Sequence, residues 1–356
     1  MKKKIYFLIN GFGKGGAQRQ CVYLLNQLQK NLELEVHLIY FYEGFYFHLL
    51  ETEGLILHKI NYSSFYDPRN IARISSILPN DKVILFSWLR SSDFYAYFLK
   101  KIKSNILWIM AERNSKYPDS FLFNLRKKFA KKANHIITNS EKGASYWCEN
   151  RIQNVKISLI ENAFIQEKGK NDYFNDDKCN IVYAGRLEEQ KNIIRTAEFL
   201  SKYVSKRKSV NLHIFGEGSQ EDVVKEIFSE YLGSQVFMKP FEEKISDIFT
   251  STDVFISLSK YEGMPNSVVE NAALGNKMLL SDIDEHKNIV GRKYKYLLPI
   301  EFDINESCLM LDNLISAPVE SIKFEHIEEI MAKCTLEKVA NQYFNIFCKV
   351  LNNYDN

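Results

Sequence analysis

The chain of 356 residues has few of the residues that break or staple a fold. It holds only 7 prolines and 15 glycines, which excludes collagen-like and low-complexity organisation and leaves little material for long structureless linkers. Its six cysteines (Cys21, Cys148, Cys179, Cys308, Cys334, Cys348) stand far apart. None forms C-x-x-C and none shares zinc spacing with a histidine. A disulfide scaffold and a zinc module are therefore excluded, and reduced thiols in a cytosolic protein are expected. No apolar run approaches the roughly 18 residues of a membrane span. The run at residues 5–9, behind Lys2, Lys3 and Lys4, is too short for a signal peptide and ends at Asn10 and Gly11. Any contact with a membrane is expected at its surface.

Hydrophobic residues make up 46% of the chain, enough for real cores, and at roughly 100–200 residues per domain the length suggests two of them. Charge is unevenly spread. Residues 1–165 carry 24 basic and 13 acidic side chains, an excess of 11 positive charges, whereas the remainder carries 23 and 31, an excess of 8 negative charges. A basic half suits an anionic partner such as a membrane surface, nucleic acid or a phosphorylated substrate; the alternative is a face of solvated lysines.

Short apolar runs alternate with helix-length amphipathic stretches. Residues 5–9, 35–41, 82–87, 106–110 and 135–138 read as strands, with a helix over 17–30 that turns Val22, Leu24, Leu25 and Leu28 to one side. After a polar stretch at 162–178, which reads as a linker, the pattern restarts. Strands are expected at 179–184, 211–215, 253–258 and 277–280, a helix at 190–203, and helices again from about 321 to 350. This is the alternation of an α/β protein with two doubly wound parallel sheets, and ligands of such sheets bind beyond the carboxyl ends of their strands. The expectation is two Rossmann-like domains facing a cleft.

Four segments sit at expected strand-to-helix junctions. Gly11-Phe12-Gly13-Lys14-Gly15-Gly16 matches the spacing of a dinucleotide loop, but Glu43 meets only loosely the requirement for an acid after the second strand. Gly185-Arg186 leaves a strand end and Lys191 follows as a helix begins, two cations that suit a diphosphate or, alternatively, a wet loop. Gly216-Glu217-Gly218 makes a turn directly after a strand. In the fourth, a loop carries Glu262, Gly263 and Met264 can present backbone N–H groups, Pro265 suits a first helical turn, and Glu270 lies about one and a half turns in. A carboxylate at Glu270 can accept two ribose hydroxyls; the alternative for either glutamate is a favourable helix-dipole charge.

At these residues the sequence resembles the retaining family-4 glycosyltransferases of the GT-B fold. The resemblance rests on Arg186 with Lys191, the Gly216-Glu217-Gly218 turn, and the Glu-x7-Glu spacing of Glu262 and Glu270. Gly15-Gly16-Ala17-Gln18-Arg19 resembles the family's N-terminal Gly-Gly-Ala-Glu-Arg loop, and Ala111-Glu112-Arg113-Asn114 the Ser-Glu-Arg-Asn segment of a capsule and glycan-assembly subgroup. The sequence departs from the family at Gln18, Ala111, Glu161-Asn162-Ala163 and Asn276. None of these departures removes the cation pair.

The resemblance implies an acceptor-side domain at 1–165, a nucleotide-sugar domain at 166–335 and a C-terminal helix at 336–356 packing back on the first. Arg186 and Lys191 would hold the donor diphosphate beside Gly185, and Glu270 the ribose. Glu262 would face the donor sugar, with the Gly216-Glu217 turn and the backbone of Gly263, Met264, Pro265 and Asn266 lining its site. Gly16 would lie near the donor phosphate, and Glu112, Arg113 and Asn114 on the acceptor side. The implied reaction moves a sugar, with retention, from a nucleotide donor, for which UDP is favoured, to a lipid-linked or surface glycan. No metal or other cofactor is expected, and no nucleic acid. A nucleotide-sugar epimerase, a Rossmann dehydrogenase and a non-catalytic sugar-nucleotide scaffold are the competing readings.

Two further features carry competing readings. Asp282-Ile283-Asp284 mimics an Asp-x-Asp metal motif, but Asp282 and Glu285 fit a capping box that leaves His286 solvated, while His135 belongs in a strand core. The basic amphipathic stretch at 121–132 joins Phe121, Leu122, Leu125 and Phe129 with Arg126, Lys127, Lys128, Lys131 and Lys132. It suits peripheral contact with anionic lipid on the cytoplasmic face of the cell membrane; a core-packed helix with a wet basic side is the alternative.

Overall fold

The computed structural model describes residues 2–353 except 62, 63, 65, 66, 114, 115, 151–154, 166–168, 170–172, 175 and 176. The chain divides into two units, Met1–Ala163 with Cys334–Asn356, and Phe164–Lys333.

In the first unit, β1 (Lys3–Gly11), β2 (Leu34–Tyr42), β3 (Leu55–Lys59), β4 (Val83–Ser87), β5 (Ile106–Glu112), β6 (His135–Thr138) and β7 (Lys156–Leu159) form a parallel sheet in the order β3-β2-β1-β4-β5-β6-β7. The central strands are continuous apolar runs because helices cover both faces, and every residue of β4 and β5 is buried. The helix Gly16–Leu28 buries Val22, Leu24, Leu25 and Leu28, as its spacing requires. The last helix, Leu336–Asn352, buries Val339, Ala340, Tyr343, Ile346, Phe347 and Val350. It packs on the helix Gly16–Leu28 and on β4, with Phe347 edge-on to Phe7 and Phe86. The Thr335 side chain caps its start by accepting from the Lys338 N–H.

The second unit repeats the plan. β8 (Cys179–Ala184), β9 (Val210–Phe215), β10 (Val236–Lys239), β11 (Val254–Ser257), β12 (Lys277–Ser281) and β13 (Leu297–Leu298) form a parallel sheet in the order β10-β9-β8-β11-β12-β13. Both sheets are doubly wound. Their strand order reverses between β1 and β4 in one and between β8 and β11 in the other, and a ligand crevice opens at such a reversal.

The helix expected at 190–203 is divided. Glu189–Lys191 form a 3-10 turn, Asn192 is left-handed at φ 53°, and the α-helix runs Ile193–Ser205. Asparagine tolerates that conformation better than most residues, and the break frees Lys191 from the helix proper.

Candidate functional site

Three strand-end loops of the second unit meet at the β8/β11 reversal. The loop after β8 carries Gly185, Arg186 and Lys191, that after β9 carries Gly216, Glu217 and Gly218, and that after β11 carries Glu262. Main-chain bonds knit the first two together, Gly185 N–H to Phe215 O (3.0 Å) and Leu187 N–H to Glu217 O (2.9 Å). The glycines make this closeness possible. A Cβ on Gly216 would stand 1.9 Å from the Gly185 carbonyl oxygen, and one on Gly218 would stand 2.3 Å from that of Leu187. Gly216 and Gly218 therefore serve the packing of one loop on the other, and the Glu217 side chain is exposed beside them.

The first and third loops are joined by main-chain and side-chain bonds. Lys260 N–H donates to Gln190 O (2.9 Å), and Gln190 Nε2 donates to Tyr261 O (3.1 Å). Arg186 is exposed and donates to Gln190 Oε1 (2.9 Å). Lys191 passes Gly185, its Cε 3.6 Å from where a Gly185 Cβ would lie, and donates to Glu262 Oε1 at 2.5 Å. Gln190 thus orients one cation while Glu262 holds the other, and both cations belong to the same short turn.

Glu262 is buried, yet its carboxyl lies below the usual range. Burial alone would raise it; the Lys191 ammonium and the Ser259 hydroxyl, which donates to Oε1 at 2.6 Å, overcome that. His286 is fully buried beside this pair, where the capping-box reading expected solvent. Burial pushes its pKa down to about 4, against the pull of Glu262. The helix Asp284–Val290 starts from Ile283, one residue after the expected cap and without a side-chain cap there, while Asp282 and Asp284 both pair with Lys287. His286 and Ser259 are thus residues that the sequence reading did not place at the site.

The helix Asn266–Leu274 begins directly after Pro265, which stands at the N-cap position. Gly263, Met264 and Asn266 are half-buried around this start, and Glu270 is half-buried further along. The first turn of a helix has N–H groups without intrahelical partners and a positive dipole end. Two cations, a helix start and two carboxylates near one strand-order reversal form an arrangement that can bind a phosphorylated ligand and polyhydroxyl groups attached to it.

The first unit places its candidates differently. Gly16 is exposed at the start of its helix. Glu112 is fully buried, accepting from Arg126 Nη1 (2.6 Å) and Trp147 Nε1 (2.9 Å). Arg126, expected on a basic outer face, instead points inward and also pairs with buried Asp93 at 2.7 Å. Burial raises the Asp93 carboxyl to about 6 despite that arginine. Arg113 lies over the Trp88 ring at 4.2 Å and donates to Asn162 Oδ1 (2.9 Å) and to the Tyr343 hydroxyl of the last helix. Asn114 lies outside the described residues. Glu43 pairs with Lys59 at 2.8 Å, so the carboxylate that a dinucleotide site would use already faces a lysine. His135 is a core residue as expected, bonded to the Ser158 hydroxyl at 2.9 Å.

The chain is similar to known proteins in sequence and in fold. The sequence model of the family described as "Glycosyl transferases group 1" matches residues 165–319. That segment is similar to the glycosyl transferases group 1 family. Curated relatives include a poly(ribitol-phosphate) alpha-N-acetylglucosaminyltransferase of Staphylococcus aureus, 25% identical over 62% of this chain and 47% of that protein. Another is an alpha-1,4-N-acetyl-D-galactosaminyltransferase of Campylobacter jejuni that acts on an undecaprenol-linked glycan, 24% identical over 75% of this chain and 76% of that one. The chain spans about half the length of the first curated relatives it matches. Among solved structures, Anabaena HepE in complex with UDP and glucose superposes with a TM-score of 0.77 at 13% identity, covering 98% of this chain and 100% of that one. Staphylococcus aureus TarM, solved with UDP, gives 0.75 at 14% identity, covering 97% and 99%. These likenesses show the fold, which is GT-B.

Proposed function

We propose that the protein is a retaining glycosyltransferase that moves a sugar from a UDP-sugar to a lipid-linked or surface-polysaccharide glycan. In this reading, Phe164–Lys333 binds the donor and the first unit serves the acceptor. The observation that carries it is the convergence of Arg186, Lys191, Glu262 and the start of the helix Asn266–Leu274 at the β8/β11 reversal. The UDP complexes of HepE and TarM, and relatives named for N-acetylglucosaminyl, galactosyl and N-acetylgalactosaminyl transfer, support the choice of donor.

The chemistry follows from charge. As the bond from the sugar's anomeric carbon to the phosphate oxygen breaks, negative charge grows on the departing diphosphate and positive charge on the sugar ring. Arg186, Lys191 and the helix N–H groups meet the negative charge as fixed donors; losing one such donor typically costs about 10²–10³ in rate. Glu262 Oε1 is already occupied by Lys191 and Ser259, which leaves Oε2 for a sugar hydroxyl. Glu270 takes the ribose hydroxyls, and Gly185, the Gly216-Glu217 turn and the backbone of Gly263, Met264, Pro265 and Asn266 complete the donor side. The acceptor hydroxyl attacks from the side the diphosphate leaves, and a phosphate oxygen takes its proton, so neither a metal ion nor a protein nucleophile is required.

On the acceptor side, Gly16 and the segment Glu112, Arg113 and Asn114 form the approach. Buried Glu112 acts there by fixing the end of β5 rather than by touching substrate. The helix Phe121–Ala130 leaves Phe121 and Leu122 exposed at its start, and Lys128, Lys131 and Lys132 are exposed at and beyond its end, which supports peripheral contact with an anionic membrane on the cytoplasmic side; among the described residues no helix is long and apolar enough to cross one. Incubating the protein with UDP-sugars and an undecaprenyl-diphosphate-linked glycan, then following UDP release and the mass of the lipid product, tests the reading. A product heavier by one sugar supports it. Free epimerised nucleotide sugar, or UDP binding without any turnover, would replace it with an epimerase or a binding scaffold.

A further inference from the structure

We propose that His286 is a positioning residue for the Lys191–Glu262 pair, acting through Ser281 and Ser259; the inference rests on the donor-site reading above. The chain of contacts is continuous and buried. His286 Nδ1 lies 3.0 Å from the Ser281 carbonyl oxygen and 3.2 Å from the Ser281 hydroxyl. A carbonyl oxygen can only accept, so Nδ1 carries the proton. The Ser281 hydroxyl donates to the Ser259 carbonyl at 2.6 Å, the Ser259 hydroxyl donates to Glu262 Oε1 at 2.6 Å, and Lys191 donates to the same oxygen. The imidazole N–H therefore fixes the rotor of Ser281 at the end of β12. Ser281 fixes the main chain of Ser259 just past β11, and Ser259 fixes the carboxylate.

The other ring nitrogen makes this arrangement informative. Nε2 is buried and has no hydrogen-bond partner among the described residues. With Nδ1 protonated and the ring neutral, Nε2 is a bare acceptor shut away from water, which is costly. A phenyl ring would carry no such unpaired acceptor, so the contribution of the imidazole is assigned to Nδ1 and what it orients. Burial keeps the ring neutral, with a pKa of about 4. A neutral ring donates to Ser281 without competing with Lys191 for Glu262.

The test compares the full chain with H286F, H286N and S281A. H286F keeps an aromatic ring and removes the donor, whereas the amide nitrogen of H286N stands close to the position of Nδ1. Melting temperature, UDP affinity by calorimetry, and UDP release from a panel of UDP-glucose, UDP-galactose and UDP-N-acetylglucosamine are read for each. Displacement of a reacting group by about 1 Å can cost 10²-fold, so H286F is expected to lose about 10–100-fold in kcat, and S281A to lose in the same direction, with UDP affinity held near wild type. H286N is expected to recover most of the loss. Wild-type kcat in H286F, or in S281A should H286F fail to fold, overturns the proposal. So does a loss in H286N equal to that in H286F that tracks melting temperature and UDP affinity together, which marks packing alone. A wild-type chain that neither binds UDP nor consumes any UDP-sugar would instead remove the donor-site reading, and this inference with it.

Discussion

Removing Lys191 exposes how tightly binding and stability are coupled at this site. Glu262 is buried and ionised because Lys191 and Ser259 donate to it. K191M keeps the bulk of the side chain and deletes its charge, which strands the carboxylate. Breaking a buried pair in this way costs about 3–5 kcal/mol. The Lys191 side chain is 17% exposed, so screening by solvent places the expected loss lower, at about 2–3 kcal/mol. For a unit of this size each kcal/mol moves the melting temperature by about 2–4 °C, giving a fall of roughly 5–10 °C at pH 7.5. The double variant K191M/E262Q removes the stranded charge and should melt closer to wild type than K191M does. The sign of the pH dependence follows from the two carboxyl environments. In the wild type the Glu262 carboxyl lies below its unfolded value, so its stabilisation is present above the unfolded pKa and is lost as pH falls through the folded one. In K191M burial acts unopposed by the ammonium, the carboxyl rises, and its penalty fades as pH falls. The gap between the two proteins should therefore narrow between pH 7.5 and 4.5. Scanning fluorimetry over that range is sufficient to see it. Equal melting of K191M and wild type at pH 7.5, or a gap that widens in acid, would refute the reasoning.

The buried Asp93–Arg126–Glu112 cluster gives a second case: R126M should destabilise the first unit by about 3–5 kcal/mol. Asp93 already stands at about 6 with the arginine holding it down; without Arg126 it rises further, so its protonation in R126M should begin above pH 6 and the gap to wild type should narrow as pH falls towards 6 in denaturation curves. His286 acts in the opposite sense. Its folded pKa of about 4 lies below the ordinary value, so the chain loses stability as pH falls from about 6.5 to 4, by on the order of 3 kcal/mol for this group, and H286N should flatten that part of the pH–stability curve. At the surface, F121D/L122D should weaken sedimentation with anionic vesicles while turnover on a detergent-dispersed acceptor stays near wild type; vesicle binding equal to wild type would remove that helix from the membrane reading.

The strands that lie deep in each sheet were legible because continuous apolar runs bounded by glycine or polar residues have few alternatives; β1, β4, β5, β8 and β11 are of this kind. The strands β3, β7, β10 and β13 are peripheral, short and mixed in exposure, so no periodicity marked them. The donor-side candidates were legible in type because cations, glycines and carboxylates recur at strand-to-helix junctions. Their geometry was not. The Gly216-Glu217-Gly218 segment reads from sequence as a turn after a strand, but nothing in it announces that the loop after β8 packs directly on its glycines. Arg126 was read by its neighbours Lys127 and Lys128 as a surface charge, yet helical spacing places it with Phe123 and Phe129 on the buried side. His286 was hidden because its burial depends on β11 and β12 lying side by side, a contact between residues far apart in sequence.

The proposed donor site requires a nucleoside diphosphate held by Arg186, Lys191 and the start of the helix Asn266–Leu274. Calorimetric titration of UDP into the full chain and into R186A tests this most directly. Saturable binding by the wild type that weakens at least tenfold in R186A and falls with added salt is the predicted result. Absence of UDP binding by the wild type, or the same affinity in both proteins, would contradict it.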